Sequence, residues 1–118
     1  MDVLGVRVEL PNNQPIVLLK EREGSRHLPI WIGAAEASAI AYAQQGVVPP
    51  RPLTHDLMAD LLVQLGASLR RVEITELKDG AFHAVLVLSS EAGHETRVDA
   101  RSSDAIALAL RAGAPIEA

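Results

Sequence analysis

The pattern of apolar residues along this chain predicts an α+β domain, with about three helices packed on a mixed, mainly antiparallel sheet. Three observations carry that expectation. Alternating segments fall in two blocks, residues 6–32 and 70–101, separated by two helix-like segments instead of being interleaved with them. Asp79-Gly80, between two alternating runs, is a strong two-residue hairpin signal and favours antiparallel pairing. A last helix-like segment then follows the second block.

Taken in order, Val6, Val8 and Leu10 alternate with Arg7 and Glu9 as a half-buried strand. Residues 11–15, PNNQP, are turn chemistry, and Ile16 to Leu19 is a second apolar run. KEREGSR at 20–26 reads as a solvated hairpin tip with Gly24 at its turn. HLPIWI at 27–32 reads as a third strand, where Pro29 suggests an edge or a bulge. Gly33 breaks that strand, and Ala34 to Gln45 is an alanine-rich helix ended by Gly46. Arg70 to Leu77 alternates, with Val72 and Ile74 on one face. Ala81 to Leu88 is apolar on both faces and is expected to be a central, doubly covered strand, with His83 packed or at its rim. Glu95 to Ala100 is a further strand. Ser102, Ser103 and Asp104 are expected to cap a last helix, AIALALRAG, closed by Gly113 and Pro115. That helix is apolar nearly all round, which predicts a second cover, most simply another subunit of a homo-oligomer.

At 118 residues the chain is expected to be a single compact domain, 1–118. Its hydrophobic fraction of 48% argues against disorder. The three aromatics, Trp31, Tyr42 and Phe82, imply an aliphatic core and no stacking platform for single strands. Without cysteine there is neither a disulfide framework nor a thiolate metal site. The alternating N-terminus, with an acid at position 2, is neither a signal peptide nor a membrane span, so a cytoplasmic protein without membrane association is expected. A formal charge of −4 argues against a DNA-coating protein and leaves a nuclease open.

The most chemically capable stretch is VPPRPLTHDLMADLLVQLG at 48–66. Pro49, Pro50 and Pro52 resist helix and put Arg51 on an extended arm. Thr54 is expected as N-cap of a second helix, with Leu53 and Met58 as a hydrophobic staple and Gly66 as its stop. Leu57, Met58, Leu61, Leu62 and Leu65 form its apolar face. Two polar clusters stand at helix N-termini: Arg51, Thr54, His55 and Asp56, then Asp99, Arg101, Ser103 and Asp104. Phosphodiester cleavage needs phosphate charge neutralised, a nucleophile activated and a leaving oxygen protonated. If the fold joins the clusters, Asp56, Asp104 and Glu36 could hold Mg²⁺ or Mn²⁺, Arg51 and Arg101 could clamp phosphate, and His55 could move the proton. The residues alone favour the plainer reading, in which Thr54 and Ser103 are caps, the acids complement helix dipoles, and the arginines pair with them.

Three segments, LPIWIGAAEASAIA at 28–41, RPLTHDLMADLL at 51–62 and DARSSDAIALALRAGAPI at 99–116, with NQPIVLL at 13–19, resemble the bifunctional nuclease family, formerly a domain of unknown function. The resemblance implies a self-associating α+β domain with nuclease activity on RNA and DNA, linked in plants to defence and stress regulation. It implies no organic cofactor. The positions matching family motifs are Glu36, Arg51, Thr54, His55, Asp56, Arg101, Ser103 and Asp104. Two departures stand out. Ser102 replaces the proline usual before the last helix, loosening the expected geometry of Arg101 against Asp104. Family members commonly run on past the position of Ile116 with an acidic tail, so a truncated C-terminus, or a form without the tail, is expected. Against the nuclease stand two other readings: a non-catalytic oligomeric binding or regulatory module, and a small-molecule sensor with its ligand at a subunit junction.

Overall fold

In the computed structural model, which describes residues 1–9, 14–79 and 81–118, the chain folds as α+β, with seven strands and three helices. The strands form two sheets. The first is antiparallel, in the order β1-β2-β3, from β1 (Asp2–Glu9), β2 (Gln14–Lys20) and β3 (His27–Trp31). β3 is an edge, as Pro29 requires, because proline has no N–H to give a further strand. Of the turn expected at residues 11–15, positions 11–13 lie outside the described residues, as does Gly80 of the expected hairpin, while Gln14 and Pro15 already belong to β2. Asp79 on its near side has φ 53°, and Lys78 pairs with Ala81 across a two-residue loop.

The second sheet is mixed, in the order β6-β5-β4-β7, from β4 (Ser68–Lys78), β5 (Ala81–Ser89), β6 (Glu95–Arg101) and β7 (Ile116–Glu117). β5 is central, as expected from its sequence. Its core face carries Ala84 and Leu86, while Val87 on the opposite face is also buried, flanked in register by Arg71 and Arg97. A bulge between Leu69 and Arg71 shifts the alternation, so that Leu69 joins Val72 and Ile74 in the core. β7 is parallel to β4, and nothing in its two residues announced a strand.

The helices are α1 (Ala34–Gln45), α2 (Thr54–Gln64) and α3 (Ser102–Ala112). α1 has the bounds its glycines predict, and Gly46 closes it in the left-handed conformation at φ 69°. α3 is the centre of the molecule. α1 and α2 pack on it from one side and β4 and β5 from the other, so Ala105 through Ala109 are all buried by their own chain. Its apolar girth therefore requires no second subunit, which removes the reason first given for an oligomer.

α2 departs from expectation in two ways. Leu53, not Thr54, is the N-cap: Asp56 reaches back and accepts the Leu53 N–H at 3.0 Å, which starts the helix one residue earlier. Leu53 is therefore the cap itself and not the residue before it, the place from which a staple to Met58 is expected; it is half exposed, while Met58 packs on the core. The buried side of α2 is His55, Met58, Ala59 and Leu62, leaving Leu57, Leu61 and Leu65 outward. Gly66, at φ 73°, does end the helix. Among the described residues no helix is long and apolar enough to cross a membrane.

Candidate active site

β6 passes into α3 with no intervening loop, so Arg101 is both the last residue of the strand and the N-cap of the helix. Its φ of −71° and ψ of 145° are the extended values that a following proline would impose. Ser102 at the first helical position thus leaves Arg101 in the conformation the family's proline would favour. Arg101 donates from Nε to Asp104 Oδ2 at 2.9 Å and from Nη2 to Glu36 Oε1 at 2.7 Å. Asp104 is held on its other oxygen by His55, whose Nε2 lies 3.0 Å from Oδ1. Residues from α1, α2 and the β6–α3 junction, far apart in the chain, therefore meet as one linked group: Glu36, Arg101, Asp104, His55.

Each position follows from local structure. His55 sits on the buried side of α2's first turn and is only 8% exposed. Asp104 stands in the first turn of α3, where the helix dipole favours its charge. Glu36 is in the first turn of α1, with its Oε2 tucked so close to Gly33 that a Cβ there would lie 2.4 Å away. Burial pushes the Asp104 carboxyl up, but the hydrogen bonds from His55 and Arg101 outweigh it and hold the group below the ordinary carboxylate range. Those to Asp104 and then Glu36 raise Arg101 further above its already high value. The group forms the polar end of an open cavity of about 630 Å³, whose remaining wall is largely apolar and includes Tyr42, Leu53 and Leu57.

Not every expected residue joins it. Asp56, one position on from His55, lines a different hollow on the other flank of α2, where Arg111 donates Nε to its Oδ1 at 2.6 Å. The Arg111 hydrogen bond, helped by that from Leu53 N–H against some burial, lowers the Asp56 carboxyl below its usual value. Arg51 is exposed on the proline arm and does not line the cavity, whereas Thr54 does. Ser103 is buried at the second position of α3 and is not its cap. Asp99 is exposed on β6, facing the same side as Arg97 and Arg101. The three acids expected to bind Mg²⁺ or Mn²⁺ do not stand together: Asp104 and Asp56 have both oxygens engaged, and Glu36 is paired with Arg101. Among the described residues no three His, Asp or Glu side chains are grouped to hold a metal ion.

Two residues were missed. Arg111, 10% exposed at the side chain, ties Asp56 to the carbonyls of Ala107 and Ala39, and its signal was a lone cation closing an apolar helix. Tyr42 shares a cavity wall with Ala35, Ser38 and Ala39, one face of α1 at helical spacing.

A family model for the bifunctional nuclease domain matches residues 17–118. The chain belongs to the bifunctional nuclease domain family. An uncharacterized Mycobacterium tuberculosis protein (strain H37Rv) is 55% identical over 97% of this chain and 67% of its own length. Bifunctional nuclease 1 of Oryza sativa subsp. japonica is 29% identical over 98% of the chain, and bifunctional nuclease 2 of Arabidopsis thaliana is 31% identical over 92%. The chain spans about a third of each of these plant proteins, 35% and 34% respectively, so it corresponds to a domain of them.

Proposed function

We propose that this bifunctional nuclease domain cleaves phosphodiester bonds of RNA and DNA, with His55, Asp104 and Arg101 at the reaction centre and Glu36 positioning Arg101. The observation that carries the reading is the convergence of these four residues at the polar end of one cavity within one chain. With Nε2–H donated to Asp104, the His55 ring keeps its lone pair on Nδ1 and acts as general base toward an attacking water. The water oxygen bonds to phosphorus as the bond to the leaving ester oxygen breaks, and that oxygen takes a proton from solvent. Asp104 fixes that tautomer and stabilises the imidazolium that forms. Arg101 keeps Nη1 without a partner among the described residues, and it meets the phosphate oxygen where negative charge develops. No step is routed through a cation, because both oxygens of Asp104 are engaged by His55 and Arg101, and Glu36 is paired with Arg101.

The test is nucleotide release from single-stranded RNA and DNA by pure protein. His55→Ala is expected to lower the rate by about 10²–10⁴-fold, the usual range for a general base, while circular dichroism is unchanged. Equal activity in the variant would place the chemistry elsewhere. One observation favours a second reading, a non-catalytic binding module: Arg101 is already paired with two carboxylates. It predicts that Asp104→Ala alters assembly size before any ligand signal.

Self-association belongs to the proposal on new ground. The outward leucines Leu57, Leu61 and Leu65 form a ridge along α2 that a second copy can cover symmetrically. A cytoplasmic location is likewise proposed, from the cysteine-free composition, and cell fractionation tests it.

A further inference from the structure

The chain has three aromatic side chains, and each of them lines a cavity that Arg101 also lines. Tyr42 lines the larger cavity. Trp31 and Phe82 line a second hollow of about 220 Å³. Arg101 is the one residue shared by the linings of the two. Trp31 is 59% exposed and Tyr42 is 42% exposed, unusual for the largest side chains of a chain so poor in aromatics. Composition alone argued against a stacking platform, but the fold distributes its few aromatics over two cavities that meet at Arg101.

A phosphodiester has a nucleoside on each side of one phosphate, and this arrangement has the same form. We infer that the two hollows are base subsites flanking the phosphate held at Arg101. The nucleobase on one side packs against Tyr42 and that on the other against Trp31, so the ligand is an unpaired strand, not a duplex. The inference rests on the nuclease reading for the identity of its central phosphate. The first-turn N–H groups of α3, at Ser102 and Ser103 beside the Trp31 hollow, add partial positive charge there.

Electrostatics points the same way. Glu36 and Asp104 set against Arg101 leave the linked group one negative charge in excess when His55 is neutral, and the whole chain carries −4. Attraction for a polyanion is therefore small, and base burial must supply most of the binding. Paired bases are stacked inside a duplex and unavailable, whereas unpaired ones can turn onto Tyr42 and Trp31. Contact with one or two phosphates limits the salt slope for a single strand to about −0.7 to −1.4.

The chain's single tryptophan supplies the assay. Trp31 emission is followed while wild-type protein is titrated with a phosphorothioate-linked DNA octamer, the same octamer with abasic residues, and its duplex. The single strand is expected to quench Trp31 and bind with the shallow salt slope, and the abasic octamer and duplex to bind far more weakly. By anisotropy of labelled octamer, Tyr42→Ala and Trp31→Ala should each weaken binding by about 5- to 150-fold, matching about 1–3 kcal/mol per stacked base, with Tyr42→Phe and Trp31→Phe near wild type. Equal binding of abasic or duplex DNA, or a steep salt slope, overturns the inference. Cleavage measured in parallel separates the two ideas. Stacking-dependent binding without hydrolysis removes the nuclease reading and leaves the subsites, whereas cleavage that ignores abasic substitution does the reverse.

Discussion

Replacing Arg111 by methionine keeps most of its volume while removing the donors that tie α2 to α1 and α3. Three hydrogen bonds are lost: 2.6 Å to Asp56, 2.8 Å to the carbonyl of Ala107 and 3.0 Å to that of Ala39. Breaking one side of a buried ion pair costs about 3–5 kcal/mol. The Asp56 side chain is a quarter exposed and can draw on water, so the lower end applies, about 3 kcal/mol. For a domain of this length total stability is on the order of 6–18 kcal/mol, so the variant stays folded but loses a large share of its margin. In urea unfolding followed by circular dichroism, a slope of about 1.5 kcal/mol/M turns this into a midpoint about 2 M lower. Asp56→Asn keeps an oxygen for the Leu53 N–H and loses the charge, so about 2 kcal/mol is expected there, with a coupling of about 1.5 kcal/mol or more in the double mutant. Cleavage per folded molecule should survive both changes, because the pair lies outside the cavity of His55. A cost below about 1 kcal/mol for Arg111→Met, or additivity in the cycle, would refute the clamp.

Gly33→Ala is compatible with the local φ of −79°, but its Cβ would crowd the Glu36 carboxylate and part it from Arg101. The thermal midpoint should barely move, since an exposed pair contributes about 0–1 kcal/mol, while cleavage falls about tenfold or more through misplacement of Arg101; unchanged cleavage would deny Glu36 its positioning role. Acid sensitivity follows from Asp56 and Asp104, whose carboxyls are held below their ordinary value of 3.8. Their stabilisation is complete above that value and is lost as pH falls through the depressed one, so urea midpoints should be level from pH 7 to 5 and decline below about 4. Asp56→Asn should shrink that decline, and a fall already under way at pH 6 would assign it to another group. Leu61→Glu, on the outward ridge of α2, should turn any dimer seen by light scattering into monomer without loss of helix content. A dimer that persists would place the interface elsewhere.

What was legible in the sequence was local. α1 kept its bounds because Gly33 and Gly46 punctuate a run of strong helix formers, and β5 read as central because both its faces are apolar. The start of α2 shifted by one residue because the Asp56 carboxylate reaches back to the Leu53 N–H and makes Leu53 the cap, whereas a Thr54 cap would have accepted an N–H two or three residues further on. The cover of α3 could not be read at all, since it depends on which elements of the same chain fold over it. The site shows the same limit. Asp56 and Asp104 are alike in sequence, each an acid in the first turn of a helix, and only the path of α2 across α3 sends one to Arg111 and the other to His55. Arg111 itself carries no motif, and Tyr42 is a single aromatic in an alanine-rich helix.

The absence of a loop between β6 and α3 has a consequence for how such a site can diverge. Arg101 is fastened at once to a hydrogen-bonded ladder and to a buried helix, so it has no slack segment through which to be re-aimed. An inserted residue would rotate α3 by about 100° against the strand and unseat its five consecutive buried residues. Variation in what the domain accepts is therefore confined to the walls: the outer face of α1, the proline arm, and the edge strand that carries Trp31. The guanidinium behaves as a fixed origin, and the chemistry of a ligand is measured outward from it.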